Sequence, residues 1–147
     1  MKYLLLDIDF TTFWGRVPRP YLKEFIERHQ HNYYLGFFTG ANGERLAEAF
    51  RLLYDLKIDY DLISWMRMNS LCSDFCPIID YQIPNGGVIE IKCFETAAKL
   101  LNCQPTNIIL LDDMLRHGHP YAAQYIQAPQ FMGDMTDTYL KNLKIEI

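Results

Sequence analysis

The sequence has no excess of positive charge: 14 Lys and Arg stand against 18 Asp and Glu in 147 residues, a formal net charge of −4. Without a basic stripe to track a phosphate backbone, nucleic acid is excluded as a first partner. Long apolar runs are missing too. The opening Met-Lys-Tyr-Leu-Leu-Leu is cut short by Asp7 and Asp9, far below the roughly 20 residues of a membrane span and short of a signal-peptide core. No membrane association is expected, and the segment reads as a buried strand. Internal repeats, low-complexity tracts and linkers are absent, which points to one compact domain over residues 1–147. Cysteine is scarce, with Cys72, Cys76, Cys93 and Cys103 only. In a chain with no secretion signal these imply reduced thiols and a cytoplasmic location. Cys72 and Cys76 have C-x-x-x-C spacing, yet no second ligand pair lies at zinc-site distance, so packing is the expected role of all four.

What is present is an alternation of apolar runs and amphipathic stretches. Residues 2–8 are large and apolar and end in acids, the signature of a parallel strand covered on both faces. Pro20 suits the first position of a helix, in which Leu22, Phe25 and Ile26 recur at helical spacing. Residues 33–39 read as a second strand closing at Thr39-Gly40. Asn42 is placed to cap a helix with Leu46, Ala47, Phe50 and Leu53 inward. A third strand is expected in 61–66. Asn85-Gly86-Gly87, between apolar runs at 78–83 and 88–91, predicts an antiparallel hairpin insertion. A helix through Phe94, Ala97, Ala98 and Leu101 leads to a strand at 107–111 that ends in Asp112-Asp113, followed by a strand at 125–128 and a short helix at 136–143. The expected fold is α/β: three layers, Rossmann-like, around a central parallel sheet of about five strands.

In such a sheet ligands bind beyond the carboxyl ends of the strands, where the polar residues of this sequence fall. Asp7 and Asp9 follow the first strand, Thr39 the second, and Asp112 and Asp113 the fourth. With the first strand central and the second and fourth beside it, all five converge on one crevice. Clustered carboxylates repel one another and are costly to desolvate, so a cation is the natural means of keeping them ionised. Oxygen donors point to Mg2+.

Asp7-Ile8-Asp9-Phe10-Thr11 resembles motif I, D-x-D-x-T, of the haloacid dehalogenase (HAD) superfamily. Phe37-Phe38-Thr39-Gly40 resembles motif II, and Ile108 to Asp113 motif IV. Lys92, read as opening the helix before the fourth strand, matches the motif III lysine, with Lys99 inside that helix as the alternative. The short intervals leave no room for a cap domain. The chain is similar to capless members, magnesium-dependent phosphatase-1 and the FCP/SCP-type small phosphatases, whose R-P-x-x-x-x-F and F-x-G-D segments resemble Arg19 to Phe25 and Phe131 to Asp134. Departures from the pattern are Thr12, Cys93 after Lys92, and Met-Leu-Arg after Asp113.

The resemblance implies a magnesium-dependent phosphomonoester hydrolase in which Asp7 attacks phosphorus and Asp9 acts as general acid and then base. It implies that Asp7, the Asp9 backbone carbonyl, Asp112 and Asp113 hold the metal, Thr39 and Gly40 bind phosphoryl oxygens, and Lys92 neutralises charge. The substrate class it implies is a phosphorylated small molecule or a phosphoprotein. A HAD-fold binding or scaffold protein with little turnover, and a phosphotransferase, are the alternative readings. Other residues weighed are His117 and His119 as crevice-mouth contacts, Phe13 and Trp14 as a substrate platform, and Arg16 and Arg19 as contacts to an anion.

Overall fold

A computed structural model describes residues 1–84, 86–114 and 119–146. Its centre is a four-stranded parallel sheet in the order β4-β1-β7-β8, made of β1 (Lys2–Leu6), β4 (Tyr33–Phe37), β7 (Ile108–Asp112) and β8 (Tyr125–Gln127). Alternation along the strands divides the core in two. Leu4, Leu6, Ile109 and Leu111 share one face with α1 (Leu22–His29), α2 (Gly43–Asp55), α3 (Tyr60–Met68) and α5 (Tyr139–Asn142). Leu5, Ile108 and Leu110 share the other with α4 (Phe94–Leu101). Every apolar side chain of β1 beyond Tyr3 is therefore buried, which is why the strand reads as an unbroken apolar run.

Two antiparallel ribbons stand apart from this sheet. β2 (Phe13–Trp14) and β3 (Val17–Pro18) form a flap directly after the first strand, turning at Gly15, whose φ of 57° suits the residue. β5 (Ile78–Gln82) and β6 (Val88–Lys92) form the expected hairpin. Asn85 of its predicted turn lies outside the described residues.

The sequence reading needs three corrections. The third strand expected at 61–66 is α3: the Asp59 side chain accepts from the amides of Asp61 and Leu62 as an N-cap, and Leu62, Ile63 and Met66 bury one helical face. The parallel sheet accordingly has four strands instead of about five. Its β4 edge is met by a single parallel bridge, Phe38 to Leu71, with Leu71 N–H donating to Phe37 O and Thr39 N–H to Leu71 O. That close approach explains Gly36, where an added Cβ would stand 2.5 Å from Asn69 O. Finally, α1 begins at Leu22, two residues after Pro20, because Tyr21 takes a left-handed φ of 68°. Asn42 caps α2 as expected, its Oδ1 accepting from Arg45 N–H.

Candidate active site

β1 lies between β4 and β7, so the expected convergence occurs. Asp7, Asp9, Thr39, Gly40, Lys92, Asp112 and Asp113 all line one crevice of about 280 Å3. One oxygen from each of Asp7, Asp112 and Asp113 lies within 4.8 Å of the others. Asp7 is carried by the end of β1, its N–H donating to Leu111 O at 2.8 Å, and the register of β1 with β7 brings Asp112 alongside.

The loop after β1 is wound tightly on Ile8 O, which accepts from the amides of Thr11, Thr12 and Phe13. This winding puts Phe10 at φ 63° and turns two hydroxyls back on the strand end. Thr11 Oγ1 lies 2.8 Å from Asp7 Oδ2 and 3.1 Å from Asp113 Oδ1, and accepts from Asp113 N–H at 2.9 Å. Thr12 Oγ1 donates to the Asp7 carbonyl at 2.7 Å. Thr12, a departure from the family pattern, thus contributes a buried bond.

Lys92 is the last residue of β6 and does not open a helix; α4 starts at Phe94. Its buried Nζ donates to Asp7 Oδ1 at 2.7 Å and to Asp112 Oδ2 at 3.1 Å, while Lys99 is exposed. Burial pushes the Asp7 carboxyl up to about 7; the Lys92 ammonium pulls against that rise and the charge of Asp112 adds to it. For Lys92 burial opposes the ammonium, but Asp7 and Asp112 outweigh it and its pKa is raised. Asp113 is also raised, first by burial. Three acids therefore cluster beside one ammonium, which bonds Asp7 and Asp112, an excess of negative charge that hard oxygen donors can share with a divalent cation such as magnesium. The donor set fits that ion.

The chain matches the model of the NLI interacting factor-like phosphatase family over residues 2–146. It belongs to that family. The resemblance to FCP/SCP-type HAD phosphatases is thereby placed on firmer ground than motifs alone. Ubiquitin-like domain-containing CTD phosphatase 1 of Drosophila melanogaster is 28% identical over 126 residues, 79% of this chain and 37% of that protein. Among solved structures, Fcp1, described as an essential RNA polymerase II CTD phosphatase, superposes with a TM-score of 0.55 at 12% identity, covering 88% of this chain and 42% of Fcp1. A fission yeast Fcp1 variant bound to beryllium fluoride gives 0.52 at 12% identity, again over 88% and 42%. At that identity the likeness carries the fold alone. The chain spans about four tenths of the length of these relatives.

The remaining positions of this family member separate into crevice and scaffold. Arg45, which the sequence reading passed over, holds Asp9: its Nε and Nη2 lie 3.0 and 2.9 Å from Asp9 Oδ1. Its signal was its place in the first turn of the helix that follows Thr39-Gly40, hence at the carboxyl edge of the sheet. Arg45 also contacts Glu48. Thr39 is buried, its Oγ1 accepting from Ala41 N–H at 3.0 Å. Arg19 was weighed as an anion contact, but it is fully buried: Nε and Nη2 donate to the two oxygens of Asp137 at 3.0 and 2.8 Å, and Nη1 donates to Thr11 O and Pro129 O. Its guanidinium also lies over the rings of Tyr139 and Phe131, at 4.8 and 5.5 Å. Arg19 therefore fixes the loop that follows motif I from behind. Phe13 is core, while Trp14 is exposed and its ring would meet a Cβ added at Gly133. His119 is buried against Phe94 and Tyr125 and has its Nε2 3.3 Å from Lys92 O; His117 lies outside the described residues. The four cysteines are free, three of them buried.

Proposed function

We propose that the protein is a magnesium-dependent phosphomonoester hydrolase working through an aspartyl-phosphate on Asp7, with a phosphoprotein as the favoured substrate. The observation that carries the proposal is the meeting of Asp7, Asp112 and Asp113 oxygens within 4.8 Å, with Lys92 Nζ bridging Asp7 and Asp112. Clustering of this kind is unfavourable in itself and needs a chemical purpose.

Asp7, Asp112, Asp113 and the Asp9 carbonyl would hold magnesium, which when bound offsets the repulsion between a carboxylate nucleophile and a phosphate dianion. Asp7 attacks phosphorus with a carboxylate oxygen, the phosphorus–oxygen bond to the leaving group breaks, and Asp9 delivers a proton to the departing oxygen. Arg45 occupies only Oδ1 of Asp9, so Oδ2 is the oxygen available for that proton. Asp9 then takes a proton from the water that attacks the aspartyl-phosphate, which returns Asp7 and releases phosphate. The Thr39 hydroxyl, held by Ala41 N–H, is free to donate its own proton to a phosphoryl oxygen beside the Gly40 amide. Lys92 is held cationic by the carboxylates of Asp7 and Asp112 in the resting site, and Asp112 still faces it once Asp7 carries the phosphoryl group.

The open crevice is rimmed by Phe10, Ile78 and Met114, each more than a third exposed, and no cap covers it among the described residues; this suits a side chain presented by a polypeptide. The relatives' names as CTD phosphatases support the same substrate class. The test is magnesium-dependent release of phosphate from an aryl phosphate and from phosphopeptides. Asp7→Asn is expected to lower turnover more than about a thousandfold with the fold intact. Undiminished turnover in that variant would remove Asp7 as nucleophile.

A further inference from the structure

A second cavity, of about 420 Å3, opens between α2 and α3, away from the acids. Its lining includes Arg51, Tyr54 and Asp55 from one face of α2, Tyr60 and Arg67 from one face of α3, and Arg16 from the flap. Helical spacing produces both rows, since residues three and four apart share a face. Three guanidiniums thus line a space with one carboxylate, in a chain whose net charge is −4. Among the described residues, no carboxylate pairs with Arg16, Arg51 or Arg67; Arg67 lies over the Phe50 ring at 5.0 Å. Three positive charges therefore face a single carboxylate, Asp55, in this lining.

The cavity and the crevice have no lining residue in common, but the flap links them. Arg45 Nη2 lies 2.9 Å from Asp9 Oδ1 and donates to Gly15 O at 2.8 Å, and Arg16 is the next residue of the flap. An extended peptide gains about 3.3–3.6 Å per residue, so a second phosphate three to six residues from the first reaches about 10–22 Å beyond it along that path. Guanidiniums pair with phosphate through two parallel hydrogen bonds, and exposed tyrosine rings offer a surface to the backbone that carries it. The volume falls in the range of ligand sites and exceeds what a lone phosphate fills.

We infer that the cavity receives a second phosphorylated side chain of the same polypeptide whose first phosphate is presented to Asp7. The inference rests on the phosphoprotein reading above and adds that the enzyme selects multiply phosphorylated segments. A mononucleotide, which would also offer a phosphate and a ring, has no reason to favour a cavity coupled to the crevice through the flap.

The test uses the full chain carrying Asp7→Asn, so that no turnover is required, titrated by calorimetry with a singly phosphorylated peptide and with its counterparts bearing a second phosphate three to six residues away. At least one doubly phosphorylated peptide is expected to bind about tenfold more tightly than the single one, as for one charge-assisted bidentate contact. Arg51→Glu, and separately Arg67→Gln, each with its melting temperature checked, should bring that ratio close to one. Equal affinity for all the peptides overturns the inference, as does a tenfold gain that survives both substitutions. Tighter binding of AMP than of the second phosphate, lost in the same variants, overturns it in favour of a nucleotide site. Failure of the unsubstituted chain to hydrolyse aryl phosphate would instead strike the catalytic reading and leave the peptide titration to judge the cavity.

Discussion

Among the described residues two ionic clusters are buried, and they differ in how completely their charges are met. Around Arg19 one guanidinium faces one carboxylate bidentately, with two backbone carbonyls and two aromatic rings taking up the rest. Around Lys92 one ammonium bonds two of three clustered acids, Asp7 and Asp112, and Asp7 is driven up to about 7. The first arrangement satisfies its charges within the protein; the second leaves an excess that a ligand can take up. Burial of charge alone thus says little about function. The imbalance is the informative quantity.

The comparison can be broken most directly by removing Asp137. In Asp137→Ala the Arg19 charge stays buried without its partner, and unfolding free energy is expected to fall by about 3–5 kcal/mol, measured by urea denaturation. A loss below about 1 kcal/mol would mean that the cluster is no better than a surface pair. At the other cluster, saturating magnesium should raise the stability of the native chain by about 2.7 kcal/mol at a hundredfold excess over its dissociation constant. Asp112→Asn should abolish that gain, read as a shift in melting temperature.

The clusters should also respond to pH with opposite sign. Asp137 is held below the ordinary carboxylate value of 3.8, chiefly by its bond from Arg19. Its contribution is present above that value and lost as pH falls through and below it. Asp7 has its pKa raised from 3.8 to about 7, chiefly by burial. Without magnesium the native state therefore holds the extra proton, and stability should fall as pH rises from about 4 to about 7. Melting curves in chelator, taken for the native chain and for Asp7→Asn, isolate this slope; identical slopes would contradict it. The smallest effect is expected at Arg45, whose pair with half-exposed Asp9 should be worth less than about 1 kcal/mol of stability. Arg45→Met should nevertheless slow turnover of an alkyl phosphate more than of an aryl phosphate, because only the poor leaving group depends on a well-aimed proton from Asp9.

The order around β1 and the crevice acids were legible because β1, β4 and β7 are apolar runs closed by polar residues, a pattern that burial on both faces imposes. Residues 61–66 misled because a short apolar stretch has no decisive period; the cap at Asp59 was the signal that could have decided it. Lys92 was found, but its carrier was misassigned, since a strand ending two residues before a helix leaves no boundary signal. Arg19 and Arg45 could not be told apart in the sequence. Each is an arginine near a motif, and only the partners that folding brings, Asp137 in one case and Asp9 in the other, decide which is scaffold and which is aimed at the reaction.

The bond from Arg19 to Asp137 spans 118 positions of the chain, and the same guanidinium holds the carbonyl of Thr11 in the loop after Asp7. During synthesis β1 emerges well before Asp137, so the anchor behind its loop must wait for the intervening residues. The brace consequently arrives after the residues it steadies, and a nascent chain extending only to Met135 would already carry every acid of the crevice without it.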